Sequence, residues 1–276
     1  GFGRTPEWSA DAVPGECMLV DLIQNVALLV TMAVGLRLIA PRLEGRRDAY
    51  QVVQGLLFGL VGVVGMMTPV HFAPGVILDG RSIVLGLAGL FGGPVPALVA
   101  SLLCAGYRVQ LGGAGTLVGV AVIVQAAAFG VGLHLLRRRD ESWVRPHRLL
   151  LFAVVVHVVM LGLLRLLPGE VGPDVLRRLG PTVLIAYPVA FLLAAEILLE
   201  LERRRAAAVE LAASEARYRG LFERSLDAIY LHDLDGRILD VNRVAVEQSG
   251  YSREELLGMT VFDLHPDPSR RGGIIG

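Results

Sequence analysis

The chain has 276 residues, of which 54% are hydrophobic, and its mean hydropathy is +0.58. This composition excludes an ordinary water-soluble domain, because the apolar residues come in blocks as long as the roughly 20 residues needed to cross a bilayer. Acidic and basic residues balance to a formal net charge of 0, which gives nucleic-acid binding no global electrostatic support. The sequence therefore predicts an integral membrane protein.

Six apolar segments are candidate membrane spans, preceded by an extra-membrane segment, 1–17, that has no signal-peptide pattern. We expect a transmembrane domain over 18–201, a helical linker over 202–221 and a further domain over 222–276. The candidate spans, in chain order, are 19–40, 51–70, 83–105, 116–136, 149–167 and 182–201.

Basic residues predict the orientation of these spans, because Lys and Arg concentrate in cytoplasmic loops. Three arginine-rich stretches, 41–50, 137–148 and 202–205, are therefore expected on the same side. An unbroken helix over 83–105 leaves three crossings between the first two stretches. An odd number of crossings puts them on opposite sides, which conflicts with the charge pattern.

The third segment carries a helix-breaking sequence at its centre, Gly92, Gly93 and Pro94. Glycine favours leaving a helix, and proline lacks the N–H that a helix interior needs. If the chain turns here, residues 81–92 enter the membrane and 94–109 return, as a hairpin buried in protein. The hairpin agrees with the arginine pattern, and a single kinked helix is the alternative.

The hairpin gathers polar side chains on the outward side, where a ligand site is possible. Arg81 and Arg108 can clamp an anionic group, or they can form a structural ion network with Asp79. Both interpretations stay open. The candidate ligand-binding residues are His71, Asp79, Arg81, Tyr107 and Arg108.

Other chemistry finds little support. Gly112 and Gly113 predict a turn that lets backbone approach closely, but they lack the Gly-Lys-Ser/Thr ending of a phosphate loop. Cys17 and Cys104 lie in unlike contexts, and no His or Cys spacing indicates a metal. His157 lies mid-span, where an interhelical hydrogen bond is favoured over ligand or proton chemistry.

Four short motifs in this region resemble the core of the LytS-type five-transmembrane receptor domain of bacterial sensors, over about 50–200. The resemblance implies a sensory input domain that receives a small-molecule or membrane-state signal. Asp79 stands where that family usually has asparagine, which favours a cationic or neutral ligand or an internal ion pair. The hairpin also resembles the vitamin-binding subunits of energy-coupling-factor transporters. The motifs are Asp79-Gly80-Arg81, Gly92-Gly93-Pro94, Tyr107-Arg108 and Gly112-Gly113.

Beyond the last span, residues 202–221 are rich in helix formers, and their partial heptad pattern predicts a dimeric coiled coil or a solvated helical spacer. Alternating residues over 228–232 and 237–241 then predict a hairpin around Asp235-Gly236. Asn242 is expected to cap the next helix. A capping box, Ser252–Glu255, is expected to open another.

The last segment, 222–276, resembles the first part of a PAS domain. The resemblance implies missing strands, so we expect a fragment of a longer protein that folds incompletely on its own. The resemblance does not assign a cofactor, so the cofactor is unknown. His232 and His265 are interpreted as structural. The matching residues are Phe222, Asp227, Ile229, Asp233, Gly236, Asn242, Gly250-Tyr251, Glu255-Leu256, Gly258 and 264–266.

The predicted fold is mainly α: a polytopic helical membrane bundle with a glycine/proline-broken hairpin, a signalling helix and a truncated α/β PAS domain. The resemblances imply a sensory input region in the bacterial inner membrane, with its PAS segment cytoplasmic and its output module missing. A histidine kinase is the favoured output. A diguanylate cyclase and a small-solute binding or transport subunit are alternatives.

No catalytic motif is present, since the sequence has no phosphoacceptor His block, nucleotide-binding glycine loop or GGDEF. The expected partners are the lipid bilayer, an unidentified small-molecule ligand, a second copy of the chain, the output domain and a response regulator.

Overall fold

The computed structural model describes residues 45–67, 70–73 and 76–264, and it gives side-chain positions for these except at 70–73 and 76–78. The predicted segment 1–17 and the first predicted span, 19–40, lie outside the described residues. The chain divides into two compact units, Gly1–Glu200 and Leu201–Gly276.

The first unit is a bundle of helices, five of which are long and apolar enough to cross a bilayer among the residues described. This confirms a multi-pass membrane protein. The elements are, in chain order, α1 (Arg47–Met67), β1 (Val70–Ala73), β2 (Val76–Leu78), α2 (Arg81–Leu87, extended by a π-helical turn over Ala88–Gly92), α3 (Pro94–Leu111), α4 (Thr116–Arg139), a 3₁₀ turn (Glu141–Val144), α5 (Pro146–Leu164) and α6 (Val171–Arg224).

Helix α2 is the short centre of this bundle. At 1.5 Å per residue its length is about 18 Å, which is less than the roughly 30 Å of a hydrocarbon core. Its residues from Arg81 to Leu90 are all buried. The helix ends at Gly93, whose φ of +77° is a conformation that glycine adopts at little cost, and Pro94 then occupies the first turn of α3.

The chain reverses at Gly93, so the third apolar segment is a hairpin and not a kinked helix. The start of α2 lies with the end of α3, because Arg81 and Arg108 line the same cavity. The end of α2 lies away from this cavity. There, Nδ1 of His134 in α4 lies 2.9 Å from the carbonyl oxygen of Leu90.

We name the two ends of the bundle by their residues. The glycine-loop end contains Asp79–Arg81 and Arg108–Gly119, and the arginine end contains Leu90–Pro96 and His134–Arg148. Helices α1 and α3 run in the same direction between them.

Glycines allow the helices to approach closely. A Cβ at Gly130 in α4 would lie 2.3 Å from the carbonyl oxygen of Gly86 in α2. In α1, a Cβ at Gly55 would lie 2.7 Å from Val99 of α3, and one at Gly62 would lie 2.6 Å from Cys104. Small residues serve this purpose in membranes, where lipid removes the hydrophobic drive between helices.

Helices α1 and α6 show two differences from the sequence predictions that affect the architecture. Helix α1 ends at Met67 and is followed by the β1–β2 hairpin, an element that the sequence analysis did not predict. Helix α6 begins at Val171, although the last span was predicted over 182–201. Pro173 fits there, because the first helical turn has no intrahelical partner for its missing N–H.

The second unit contains the last part of α6 and four short elements: β3 (Tyr230–His232), β4 (Ile238–Val241), α7 (Arg243–Ser249) and α8 (Arg253–Leu257). The strands pair antiparallel, as the hairpin prediction requires. Asn242 caps α7, and Ser252 with Glu255 forms the capping box of α8, so both caps are confirmed. Ile238, Val241, Ala245 and Leu256 form a small buried core.

Candidate functional site

Helix α2 starts at a buried ion pair. The Oδ1 of Asp79 accepts a hydrogen bond from the backbone N–H of Arg81 at 2.9 Å, and its Oδ2 accepts one from Arg81 Nη1 at 2.9 Å. The carboxylate thus satisfies one of the N–H groups that a helix start leaves without an intrahelical partner. Both residues are only 6% exposed, so this polar pair lies inside the protein.

Arg108 lies close to this pair, near the end of α3. It is 2% exposed, and its Nη1 donates a hydrogen bond to the carbonyl of Gly112 at 2.8 Å. Gly112 has a φ of +66°, so the turn after α3 places this carbonyl by adopting a conformation that favours glycine. Gly119 of α4 makes room, because a Cβ there would lie 2.6 Å from Arg108 Nε.

These groups line a cavity of about 30 Å³ at the glycine-loop end. That volume holds a few water molecules at most, since one water needs about 10–15 Å³ on this measure. Ser82 from α2 and Met160 and Leu164 from α5 complete most of the wall. In this state the cavity is too small for an organic ligand, so a larger molecule requires the helices to move apart.

His157 connects three helices beside this cavity. Its Nε2 lies 3.3 Å from Ser82 Oγ of α2, and its Nδ1 lies 2.7 Å from the carbonyl of Ala153 in its own helix, α5. Its ring meets the ring of Tyr187 of α6 edge-on, with centroids 5.4 Å apart. The interhelical hydrogen bond predicted for His157 is therefore present.

The structure brings together Asp79, Arg81 and Arg108 among the five candidate ligand residues. Tyr107 is half-buried against the core and does not line the cavity. The backbone of His71 pairs with Ile77 in the β-hairpin, and its side chain lies outside the described residues.

The predicted turn residues occupy both ends of the bundle. Gly112 and Gly113 follow α3 with positive φ, next to the cavity. Gly92, Gly93 and Pro94 lie at the arginine end, so the hairpin turn shapes α2 without lining the cavity.

Sequence reasoning missed Ser82, Gly119 and Met160 as neighbours of the site. Ser82 follows Arg81 directly and was available as a signal. Gly119 and Met160 belong to other helices, and no local pattern marks them. Among the described residues, no group of three or more His, Cys, Asp or Glu can hold a metal ion.

In the second unit, Asn242 is the main polar contact. Its Oδ1 accepts hydrogen bonds from the N–H groups of Ile229 and Ala245 at 2.9 and 3.0 Å. Its Nδ2 donates to the carbonyls of Phe222 and Asp227 at 3.0 and 2.9 Å. One fully buried side chain therefore joins the end of α6, the start of β3 and the first turn of α7.

Comparison with known proteins agrees with this architecture. The family described as 5TMR of 5TMR-LYT matches residues 37–201, which is more than half of the chain. The family described as PAS fold matches residues 216–274. No solved structure matches the chain.

One curated relative is a methyl sulfide methyltransferase-associated sensor from Methanosarcina acetivorans, 41% identical over 61 residues. The match covers 22% of this chain and 6% of the relative's length. The family matches confirm the resemblances to the LytS-type receptor domain and to the PAS domain that were drawn from the sequence. The chain belongs to the 5TMR of 5TMR-LYT family, and a PAS-fold segment follows its membrane region.

Proposed function

We propose that this chain is the sensory input region of a bacterial membrane signal-transduction protein. One observation carries the proposal: α2 begins at the buried Asp79–Arg81 pair and packs through Gly86 against Phe191 of α6. Helix α6 is one helix from Val171 to Arg224, and its last residues belong to the unit that matches the PAS fold.

The proposed mechanism is a shift between two packings of α2. A Cβ at Gly86 would lie 2.9 Å from the Phe191 ring, so α2 and α6 are in close contact. A signal received at Asp79, Arg81 and Arg108 opens the small cavity and moves α2, and α6 responds. Packed interfaces change between discrete arrangements, which makes such a displacement transmissible.

The arginine clusters give the proposed orientation. The positive-inside rule places the arginine end, with Arg137, Arg138 and Arg139, in the cytoplasm of a bacterium and the glycine-loop end outside. The PAS segment is then cytoplasmic, and the membrane is the inner membrane. The candidate ligand residues, on the outer side, are His71, Asp79, Arg81, Tyr107 and Arg108.

A homodimer is the proposed assembly, with the output module as its downstream partner. Leu211, Tyr218 and Leu221 in the last part of α6 are 61%, 53% and 71% exposed, which leaves apolar side chains for a second copy. The favoured output is a histidine kinase acting on a response regulator, because sensors of this family and PAS segments commonly precede one.

To test this, the complete gene is expressed, membrane vesicles are prepared from the cells, and the vesicles are incubated with labelled ATP. Acid-labile phosphohistidine is then assayed. We expect autophosphorylation whose rate changes at least severalfold in Gly86→Ala, because the added Cβ pushes the Phe191 ring of α6. The matched control is Gly106→Ala in α3, where a Cβ meets open space.

Three results contradict parts of the proposal. Cyclic dinucleotide synthesis in place of phosphohistidine assigns the output to a diguanylate cyclase. Accumulation of a solute in the vesicles assigns the membrane region to transport. Equal rates in Gly86→Ala and Gly106→Ala overturn the route from α2 to α6.

A further inference from the structure

An open apolar groove lies between α4 and α5, on the side of the bundle away from the proposed signal site. Its volume is about 510 Å³, within the range of 300–1,000 Å³ that is typical of ligand sites. Phe129, Leu133 and Leu136 of α4 and Phe152 of α5 form most of its wall. A groove so apolar selects hydrocarbon rather than a polar solute.

Aromatic packing holds the wall of this groove in place. The rings of Phe129 and Phe152 lie with centroids 6.2 Å apart, and Phe152 continues to Phe191 of α6 at 5.8 Å. Gly132 also lines the groove, and a Cβ there would meet open space. The groove is therefore formed by α4 and α5, with Phe191 of α6 packed behind Phe152, and it stays open because Gly132 has no side chain.

A cation stands where the groove reaches the end of α4. Arg139, the last residue of that helix, lines the groove and is exposed. The neighbouring carboxylate of Asp140 is engaged by Ser142 and lies 3.8 Å from Arg148. Within the described residues, Arg139 forms no ion pair with a carboxylate.

We propose that this groove binds an acyl chain of an anionic phospholipid whose headgroup phosphate contacts Arg139. The helix changes there from apolar residues to arginines, as expected at the boundary between hydrocarbon and headgroups. A guanidinium matches phosphate oxygens in geometry and charge, and cytoplasmic leaflets are rich in anionic lipid. Charge complementarity thus selects a lipid over the apolar surface of another protein.

The test is native mass spectrometry of the full chain, released from detergent with phosphatidylglycerol or with phosphatidylcholine of identical acyl chains. We expect phosphatidylglycerol to be retained at about fivefold higher occupancy, the effect of one arginine near a phosphate surface. Arg139→Gln removes this preference. Arg138→Gln, the matched control one residue away from the groove wall, keeps it.

A second variant tests the acyl chain separately from the headgroup. Gly132→Leu fills the groove without a backbone clash, so retention of both lipids falls. Gly106→Leu in α3, also in open space, leaves retention unchanged.

Any of three results overturns the proposal. If Arg139→Gln and Arg138→Gln behave alike, the headgroup does not contact Arg139. If Gly132→Leu retains both lipids, no acyl chain occupies the groove. Should Gly132→Leu also convert a dimer to monomers, the groove is an interface between copies. These readouts are independent of any kinase output.

Discussion

The two units of this chain hold their elements together by different means. In the membrane unit, α2 and α4 meet where Gly86, Gly89 and Gly130 bring backbone against backbone. In the second unit, the side chain of Asn242 joins the end of α6 to β3 and α7 through four hydrogen bonds. Close packing at glycines therefore organises the membrane unit, and a hydrogen-bonded asparagine organises the second unit.

The difference follows from the solvent of each unit. Lipid is as apolar as a leucine side chain, so helices in a membrane gain from close van der Waals packing and have little hydrophobic drive to associate. Short strands and helices in water bury little apolar surface, so a fully satisfied polar side chain contributes much to their arrangement. Polar contacts do occur in the membrane unit, at Asp79–Arg81 and Ser82–His157, where they connect to the proposed signal site.

The largest expected effect comes from placing a methyl group at the glycine crossing. Gly130→Ala places a Cβ that would lie 2.3 Å from the carbonyl oxygen of Gly86, and neither backbone can yield. We expect the free energy of unfolding to fall by about 3 kcal/mol, the upper range for overpacking. Unfolding in mixed detergent and SDS micelles measures it.

The control for this crossing is Gly132→Ala, two residues further along α4, where a Cβ meets open space. Its unfolding midpoint should match that of the unmodified chain or exceed it, since alanine favours helix. Equal losses of unfolding free energy in Gly130→Ala and Gly132→Ala would show that close glycine packing is not what holds the membrane unit together.

A smaller effect is expected when the polar side chain of the second unit is removed. Asn242→Ala leaves the N–H groups of Ile229 and Ala245 without their acceptor, and loss of such partners costs about 2 kcal/mol. Amide hydrogen exchange at these two positions should accelerate about 30-fold, the rate equivalent of that free energy. Ser249→Ala in the same helix is the control and should leave both amides protected.

The smallest expected effect is a pH dependence of the α8 capping box. Hydrogen bonds from the backbone N–H and then the hydroxyl of Ser252 lower the pKa of Glu255 below its ordinary value of 4.5. A carboxyl whose pKa is lowered by folding stabilises the fold above its ordinary pKa, and the contribution is lost as pH falls through the lowered value. Amide exchange at Ser252, corrected for the intrinsic pH dependence, should therefore rise as the pH falls below the ordinary pKa of 4.5 and through the lowered value.

The comparison for this pH effect is Glu255→Gln, which keeps an acceptor oxygen but removes the titration. Its Ser252 amide should show no step across the same range. A step of equal size in this variant would mean that another group is responsible.

Much of the fold was predictable from local sequence. Apolar blocks predicted the long helices, and Asn242, Ser252 and Glu255 predicted caps that the structure contains. The β1–β2 hairpin was not predicted, because its strands are three and four residues long and their apolar residues continue the hydropathy of α1. Helix α6 starts earlier than predicted. Pro173 lies in its first turn, and a proline at this place in the sequence is also typical of a loop.

The candidate site was predictable in part. Asp79 and Arg81 are two residues apart, and an ion pair between them was one of the open interpretations. Their meeting with Arg108 required the hairpin, which the arginine pattern favoured. Gly119 and Met160 contribute to the same cavity from α4 and α5, and only helix packing places them there.

The sequence alone determined that this chain lies in a membrane, that its third apolar segment has a break at Gly93, and that a PAS segment follows. These are local properties, because transfer to lipid, helix breaking and capping depend on residues close together in the chain. The tertiary structure decided that α2 is the buried centre, that Gly86 meets Phe191, and that Gly132 leaves a groove open beside Arg139. Those contacts depend on glycines that are far apart in the sequence and that let particular helices approach closely. The residues next to each glycine do not determine how close the helices come.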